Sequence, residues 1–263
     1  MGILNITPDS FFDGGRFNQI DDALFHVEEM ITDGMDVLDI GGESTRPGYS
    51  VLRDEEEIER VIPVIEKIKS RFDIPVSLDT YKSRVASAGI DAGADMINDI
   101  WGLKHDGRKM ADVIAGAGVS CCLMHNRKHA LYKSFMEEML EDLRESLEIA
   151  GQAGIATQRI LLDPGVGFGK NYTHNLTVLG RLGEIGELGF PVLLGSSRKS
   201  VIGITLDLPV EERIEGTIVT TVLAVIAGVM FVRVHDVKEN VRAIRMTEAI
   251  MGEGETGDGR DYH

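Results

Sequence analysis

Met1-Gly-Ile-Leu-Asn-Ile-Thr-Pro-Asp-Ser-Phe-Phe-Asp-Gly-Gly15 opens the chain with a pattern that recurs to its end. Ile3, Leu4 and Ile6 make an apolar run around one amide, Asn5. A strand that carries a polar group into its buried end needs a use for it, because an unpaired amide is costly away from water. Thr7-Pro-Asp-Ser10 follows as a turn cluster, then two phenylalanines, then Asp13-Gly-Gly15 with two conformationally free positions. This reads as a short strand delivering a polar tip, followed by a mobile loop. Apolar run, polar tip and loop then return seven more times along the sequence.

Working outward, helical spacing in Ala23, Leu24, Val27, Met30 and Ile31 ends at Gly34. Residues 37–40 form a second strand, and Gly41 to Gly48 a polar loop. Asp54 is the expected cap of a helix whose acidic first turn, Glu55 to Glu57, reads as a solvated helix start. Further strands are expected at 75–80, 95–99, 119–125, 159–164, 191–195 and 229–235. Helices are expected at 82–91, 107–117, through Phe135 to Leu147, from about Asn175, at 211–227 and at 237–250. The helix from Asn175 carries Gly180, Gly183, Gly186 and Gly189. At about 1 kcal/mol for each interior glycine it should be among the least stable. Residues 252–263 are Gly-rich and acidic without an apolar pattern and are expected to be disordered.

Eight strand–helix alternations predict a (β/α)8 TIM barrel, an α/β fold of one domain spanning residues 1–251. The strands are continuous apolar runs, as suits a parallel sheet covered on both faces. A doubly wound sheet would have fewer strands and usually a Gly-rich first turn, which is absent here.

At 263 residues and 43% hydrophobic, the chain can bury a substantial core. It has no apolar run of spanning length and no secretory leader, so no membrane role is expected and its three Asn-x-Thr sequons read as chance matches. Cys121 and Cys122 are adjacent, cannot staple distant segments, and fit a reducing cytoplasm. A formal net charge of −16 argues against nucleic acid as a partner and demands local cations if the substrate is anionic.

Active sites of such barrels lie where the strands end. The tips are Asn5, the 43–47 loop, Asp79, Asn98, Met124-His125, Asp163, Lys199-Ser200, and Arg233 with His235. Buried planar polar groups of this kind suit a flat heterocycle with donors and acceptors. Arg46, Arg233 and His235 suit phosphate oxygens. A phosphorylated or pyrophosphorylated heterocycle is the substrate class implied. Bland readings compete locally. Asp79 and Asp163 could each be a helix cap, and Cys121, Cys122, His125 and His129 could suggest zinc. The full set of tips weighs against the first, and the alternation of strand side chains against the second. Gly165 to Lys170 is one residue short of a Walker phosphate loop and lacks its Ser/Thr. His26, His105 and His174 read as surface residues.

The motifs Gly2 to Phe11 with Asp13-Gly-Gly15, Asp39-Ile-Gly-Gly-Glu-Ser-Thr-Arg-Pro-Gly48, Leu78-Asp-Thr80, Ile97-Asn-Asp99, Asp163-Pro-Gly-Val-Gly-Phe-Gly-Lys170, Ser197-Arg-Lys-Ser200 and Arg233-Val-His235 occur in this order, at the strand ends. Together they resemble the dihydropteroate synthase family over almost the whole chain. The resemblance implies a Mg²⁺-dependent condensation of 6-hydroxymethyl-7,8-dihydropterin diphosphate with p-aminobenzoate, giving 7,8-dihydropteroate and pyrophosphate. It implies that Asp163 takes the 2-amino and ring N–H edge of the pterin, Asp79 and Asn98 other ring nitrogens, and Lys199 the O4/N5 side. Arg233 would cover a ring face and, with His235 and Asn5, hold diphosphate. Met124, Phe168 and Gly195 would line the same pocket. Asn5 and Asp13 would contact Mg²⁺, and Phe11, Thr45, Arg46, Pro47 and Ser200 would frame the p-aminobenzoate pocket. Lys199, Arg233 and Asp79 are the expected catalytic set. The resemblance also implies a homodimer through 211–227 and 237–250, and sulfonamide sensitivity.

Three departures stand out. Phe12 replaces a usually small residue, and Asn126-Arg-Lys-His129 lacks the family's usual proline-containing turn. Strand one begins at Met1 without the usual segment before it, as a start placed upstream would explain. Two alternatives follow: a catalytically silent pterin-binding module, and a pterin-dependent methyltransferase of related fold, which would lack the first, second and Ser197–Ser200 motifs.

Overall fold

A computed structural model of the chain describes residues 1–6, 16–43 and 52–252, the side chains of 16–19 excepted. The strands are β1 (Gly2–Asn5), β2 (Leu38–Gly41), β3 (Val76–Asp79), β4 (Met96–Asp99), β5 (Ser120–Met124), β6 (Ile160–Asp163), β7 (Leu193–Leu194) and β8 (Phe231–Val232). The main helices are α1 (Arg16–Thr32), α2 (Asp54–Arg71), α3 (Ser83–Asp91), α4 (Lys109–Ala117) and α5 (Phe135–Ala153). Then come α6 (Tyr172–Gly180), α7 (Gly183–Gly186), α8 (Ser200–Leu206), α9 (Ile214–Ile226) and α10 (Val237–Met251).

β1 to β6 pair in sequence order, all parallel, and β7 pairs parallel with β8. Two isolated parallel bridges, Leu162 to Val192 and Gly2 to Val234, close the ring. The second closure is held by Ile3 N–H donating to Val234 O at 3.0 Å and Val234 N–H to Met1 O at 3.0 Å. The result is a (β/α)8 barrel, and closure removes both sheet edges.

Alternation sorts the strand side chains into two environments. Leu38, Ile40, Leu78, Ile97, Leu123 and Leu162 point outward into one large cluster with the helices. Each such fully buried aliphatic contributes roughly 1.5–3 kcal/mol. Met1, Met96, Cys122, Leu161 and Leu193 point inward and fill the barrel below the strand ends. Cys121 therefore belongs to the outer cluster and Cys122 to the inner one.

Several local expectations are corrected. The long helix from Asn175 breaks into α6 and α7, because Gly180 and Gly183 flank the gap and neither rewards helical geometry. Helix α8 has no counterpart in the sequence reading. Asp54 is the first residue of α2 rather than its cap; Arg53 holds that place. Glu57, read as part of a solvated run, is 1% exposed. The strand-five loop, where the sequence offered no turn signal, is closely tied. Arg127 pairs with Asp142 at 2.6 Å and Glu138 at 2.9 Å, and Tyr132 Oη donates to Gly169 O at 2.7 Å. Residues 253–263, expected as a disordered tail, lie outside the described residues, as do Phe11, Phe12, Asp13, Thr45, Arg46 and Pro47.

Candidate functional site

The strand ends converge. Gly195, just after β7, marks the centre: a Cβ placed there would lie 3.6 Å from Asp163 Oδ2, 3.8 Å from Lys199 Nζ and 3.9 Å from Arg233 Cδ. Glycine leaves that space open. At the opposite wall Gly41 does the same, with Asn5 Oδ1 and Asp79 Oδ2 each 3.8 Å from the corresponding point.

The floor is a charged network. Arg233 reaches from the end of β8 to β2 and β3, donating Nε to Asp39 Oδ2 at 2.5 Å and Nη2 to Asp79 Oδ2 at 2.7 Å. Burial would lower the Arg233 pKa, but Asp39 and Asp79 outweigh it and hold the guanidinium charged. Burial pushes the Asp79 carboxyl up to about 7, opposed by Arg233 and Lys199 and assisted by Asp39 and Glu57. Burial also raises Asp163, against the pull of Lys199. Lys199 is brought down to about 8 by burial, with Asp163 opposing. Its ammonium donates to Val166 O and lies 5.0 Å from the Phe168 ring centroid.

Not all of this network is satisfied. Asp39 Oδ1, Asp79 Oδ1 and Asn98 Oδ1 are buried without a hydrogen-bond partner, and so is Ser77 Oγ. Buried acceptors are seldom left so. Those of Asp79 and Asn98, at the strand ends, are suited to receive the N–H edge of a planar ligand. Met124, 3% exposed, packs with Tyr81 and Ile100, and Phe168 lies against that group at the rim.

The loops carry the cations. Arg198 adopts φ 55°, a left-handed conformation that lets consecutive residues point different ways. Its guanidinium is tied to Asp236, its N–H to Thr217 Oγ1 at 3.0 Å and its carbonyl to Arg213 at 3.0 Å. Arg198 therefore clamps the turn, and Lys199 is the residue turned into the barrel. Ser200 begins α8 and is exposed. Ser197 Oγ accepts the His235 backbone N–H at 3.2 Å and stands 2.9 Å from His235 Nδ1.

A second buried network underlies the β6 loop. Lys170 Nζ meets His125 Nδ1 at 2.6 Å and donates to Gly165 O and Phe168 O, both at 3.0 Å. His125 Nε2 meets Asp142 at 2.9 Å. Burial brings Lys170 down to about 7 and His125 to about 4, so His125 is neutral and donates from Nε2. Gly165 is required here: its φ is +67° and a Cβ would stand 2.0 Å from His125 O.

Mg²⁺ chemistry can be tested against this donor set. Among the described residues no group of three His, Cys, Asp or Glu could form a metal cage. Mg²⁺ dehydrates reluctantly and is commonly held by one or two protein oxygens together with substrate phosphates. One amide oxygen, Asn5 Oδ1 at the mouth beside Asp79, fits that mode.

The comparisons with known proteins place the chain in a family. The family described as pterin binding enzyme matches residues 1–235. A dihydropteroate synthase of Clostridium beijerinckii is 59% identical over 252 residues, 95% of this chain and 93% of its own. The chain belongs to the dihydropteroate synthase family. Its enzymes are transferases, and this chain is one of them. A dihydropteroate synthase from Clostridium difficile, solved in the presence of pteroic acid, superposes with a TM-score of 0.93 at 51% identity, with 96% of each chain covered. Another, from Xanthomonas albilineans with 4-aminobenzoic acid, gives 0.91 at 42% identity, covering 96% of this chain and 92% of its own. Asp39 is the site residue that sequence reading missed. It was counted as strand, although a lone Asp inside Val37-Leu-Asp-Ile40 is a buried charge that needs a partner.

Proposed function

We propose that this transferase condenses 6-hydroxymethyl-7,8-dihydropterin diphosphate with p-aminobenzoate, releasing pyrophosphate and 7,8-dihydropteroate, with Mg²⁺ as its metal. The observation that carries the reading is the pair of unpartnered acceptors at the strand ends, Asp79 Oδ1 and Asn98 Oδ1, beside the cations Lys199 and Arg233. An electron-rich heterocycle with an amino group and ring N–H groups is complementary to it.

In this reading Asp163 takes the 2-amino and ring N–H edge, Asp79 and Asn98 the other ring nitrogens, and Lys199 the O4/N5 side. Met124, Phe168 and Gly195 bound the slot. Arg233 covers the ring and, with His235 and Asn5, faces the diphosphate. Asn5, with Asp13, would hold Mg²⁺. When bound, that ion neutralises charge developing on the leaving diphosphate. The pterin methylene becomes cation-like as pyrophosphate departs, and the surrounding carboxylates stabilise it. The arylamine is neutral and nucleophilic, so Phe11, Thr45, Arg46, Pro47 and Ser200 need only orient it. No activated nucleophile on the protein is required.

The test is pyrophosphate release assayed with each substrate and Mg²⁺ omitted in turn. Release that needs all three is expected, with a sulfonamide competing against p-aminobenzoate. Pterin binding without release would instead mark a silent binding module.

We also propose that the enzyme is a cytoplasmic homodimer. Val219, Leu223 and Ile226 on α9, and Met246 and Ile250 on α10, are large apolar side chains left exposed at helical spacing. Apolar patches of this kind mark interaction surfaces. Sedimentation should give twice the chain mass, reduced to a single chain by Leu223→Glu. Among the described residues no helix is long and apolar enough to cross a membrane.

A further inference from the structure

The two carboxylates that hold Arg233 differ in depth. Asp39 lies inside β2 and its side chain is 0% exposed, whereas the Asp79 side chain, at the end of β3, is 13% exposed. Asp39 takes Nε at 2.5 Å and Asp79 takes Nη2 at 2.7 Å. Asn98 Nδ2 also approaches Asp39 Oδ2, at 3.5 Å. Asp79 is thus the carboxylate a ligand reaches first, and it is already engaged. A heterocycle that draws Asp79 to its own N–H groups competes directly with Nη2. Were both carboxylates of that kind, the guanidinium would be cast loose on binding. A flexible side chain freed over a ligand loses the orientation on which its charge depends.

We propose that Asp39 is a positioning residue for the transfer reaction, holding Arg233 through Nε while its Nη edge is exchanged from Asp79 to the bound pterin diphosphate. The proposal rests on the reading of this pocket as the pterin diphosphate site. Nε and Nη2 form the two-pronged edge of one planar group, so a fixed Nε bond lets the plane pivot without leaving the floor. The depth of Asp39 keeps it out of that exchange. Its charge also remains as counter-ion when Asp79 turns to the ligand, so the arginine is never a bare buried cation.

The two claims separate in one series of measurements. Calorimetry with pterin diphosphate on the intact wild-type chain comes first, and no binding there would sink the reading of the pocket itself. Given binding, Asp39→Asn keeps the shape and removes the charge. Its KM for pterin diphosphate should rise about 10- to 100-fold, the size of a lost charge-assisted hydrogen bond. The KM for p-aminobenzoate should stay within about twofold, since the residues assigned to that ring do not include Arg233. In an Arg233→Gln background the same change should add nothing, because no guanidinium remains to be held. A wild-type pterin KM in Asp39→Asn, or its full effect persisting without Arg233, overturns the proposal. A nitrogen-15 spectrum of the wild-type arginine Nε–H groups decides independently of any variant's folding. The Arg233 Nε–H signal should keep its hydrogen-bonded shift on titration with pteroic acid, and its loss would refute the role of Asp39.

Discussion

Arg233 and Lys82 are each a buried cation between two carboxylates, and they end differently. Lys82 donates to Glu43 at 2.5 Å, Glu57 at 2.7 Å and Leu52 O at 2.8 Å. Glu43 has further donors in Tyr81 Oη at 3.0 Å and Leu52 N–H at 2.9 Å. Around Arg233 the second oxygens of Asp39 and Asp79 have none. Burial would lower Lys82, but Glu43 and Glu57 raise it by more. The Lys82 cluster is complete and acts as a rivet between β2, α2 and α3. The Arg233 cluster leaves acceptors open beside the pocket. Charge count alone would not separate the two; satisfaction of hydrogen bonds does.

That contrast can be broken by substitution. Lys82→Met should cost about 3–5 kcal/mol of stability, because it strands two buried carboxylates. Chemical denaturation measures this, and a loss below about 1 kcal/mol, the range of exposed pairs, would make the rivet decorative. Lys199→Ala, on the incomplete side, should lower turnover at least about a hundredfold, the scale of roughly 3 kcal/mol of lost charge stabilisation. Its denaturation midpoint should hardly move, since the lost ammonium was one that burial disfavoured. Wild-type turnover in that variant would remove Lys199 from the site.

The third test sharpens the comparison with pH. His125 is held at about 4, below its ordinary 6.5, so the unfolded chain binds the extra proton between those values. Its contribution is therefore present above pH 6.5 and lost as pH falls toward 4, by about 3 kcal/mol. The pH dependence of unfolding should flatten over that window in His125→Asn, and an unchanged slope would mean that another group titrates there. At the small end, the exposed pair Arg181–Glu184 should add nothing measurable, read as no shift in melting on Arg181→Ala.

Much of the site could be read from residue type and place. Asn98, Asp163, Lys199 and Arg233 stood out because each is a polar residue at the end of an apolar run, where a barrel collects its strand tips. Asp39 escaped because it lies one turn of the alternation deeper, where only its partners reveal it. That Arg198 clamps the turn beside Lys199 was not legible, because its partners Asp236 and Thr217 lie 38 and 19 residues away in the chain. Glu57 looked like solvent because Lys82, its partner, is 25 residues further along the chain. The loop after β5 had no turn signal, and its order comes from Arg127 finding Asp142 and Glu138 on the next helix.

The sequence by itself determined the alternation of apolar runs and amphipathic stretches, hence a closed parallel barrel with its polar tips at one end. That information is local, carried by periods of two and of 3.6 residues. Tertiary structure alone decided which charges pair and which acceptors stay open. Those outcomes depend on distances between residues as much as 194 positions apart. Burial then turns such distances into energy, because an unpaired polar group costs little in water and a great deal inside a barrel.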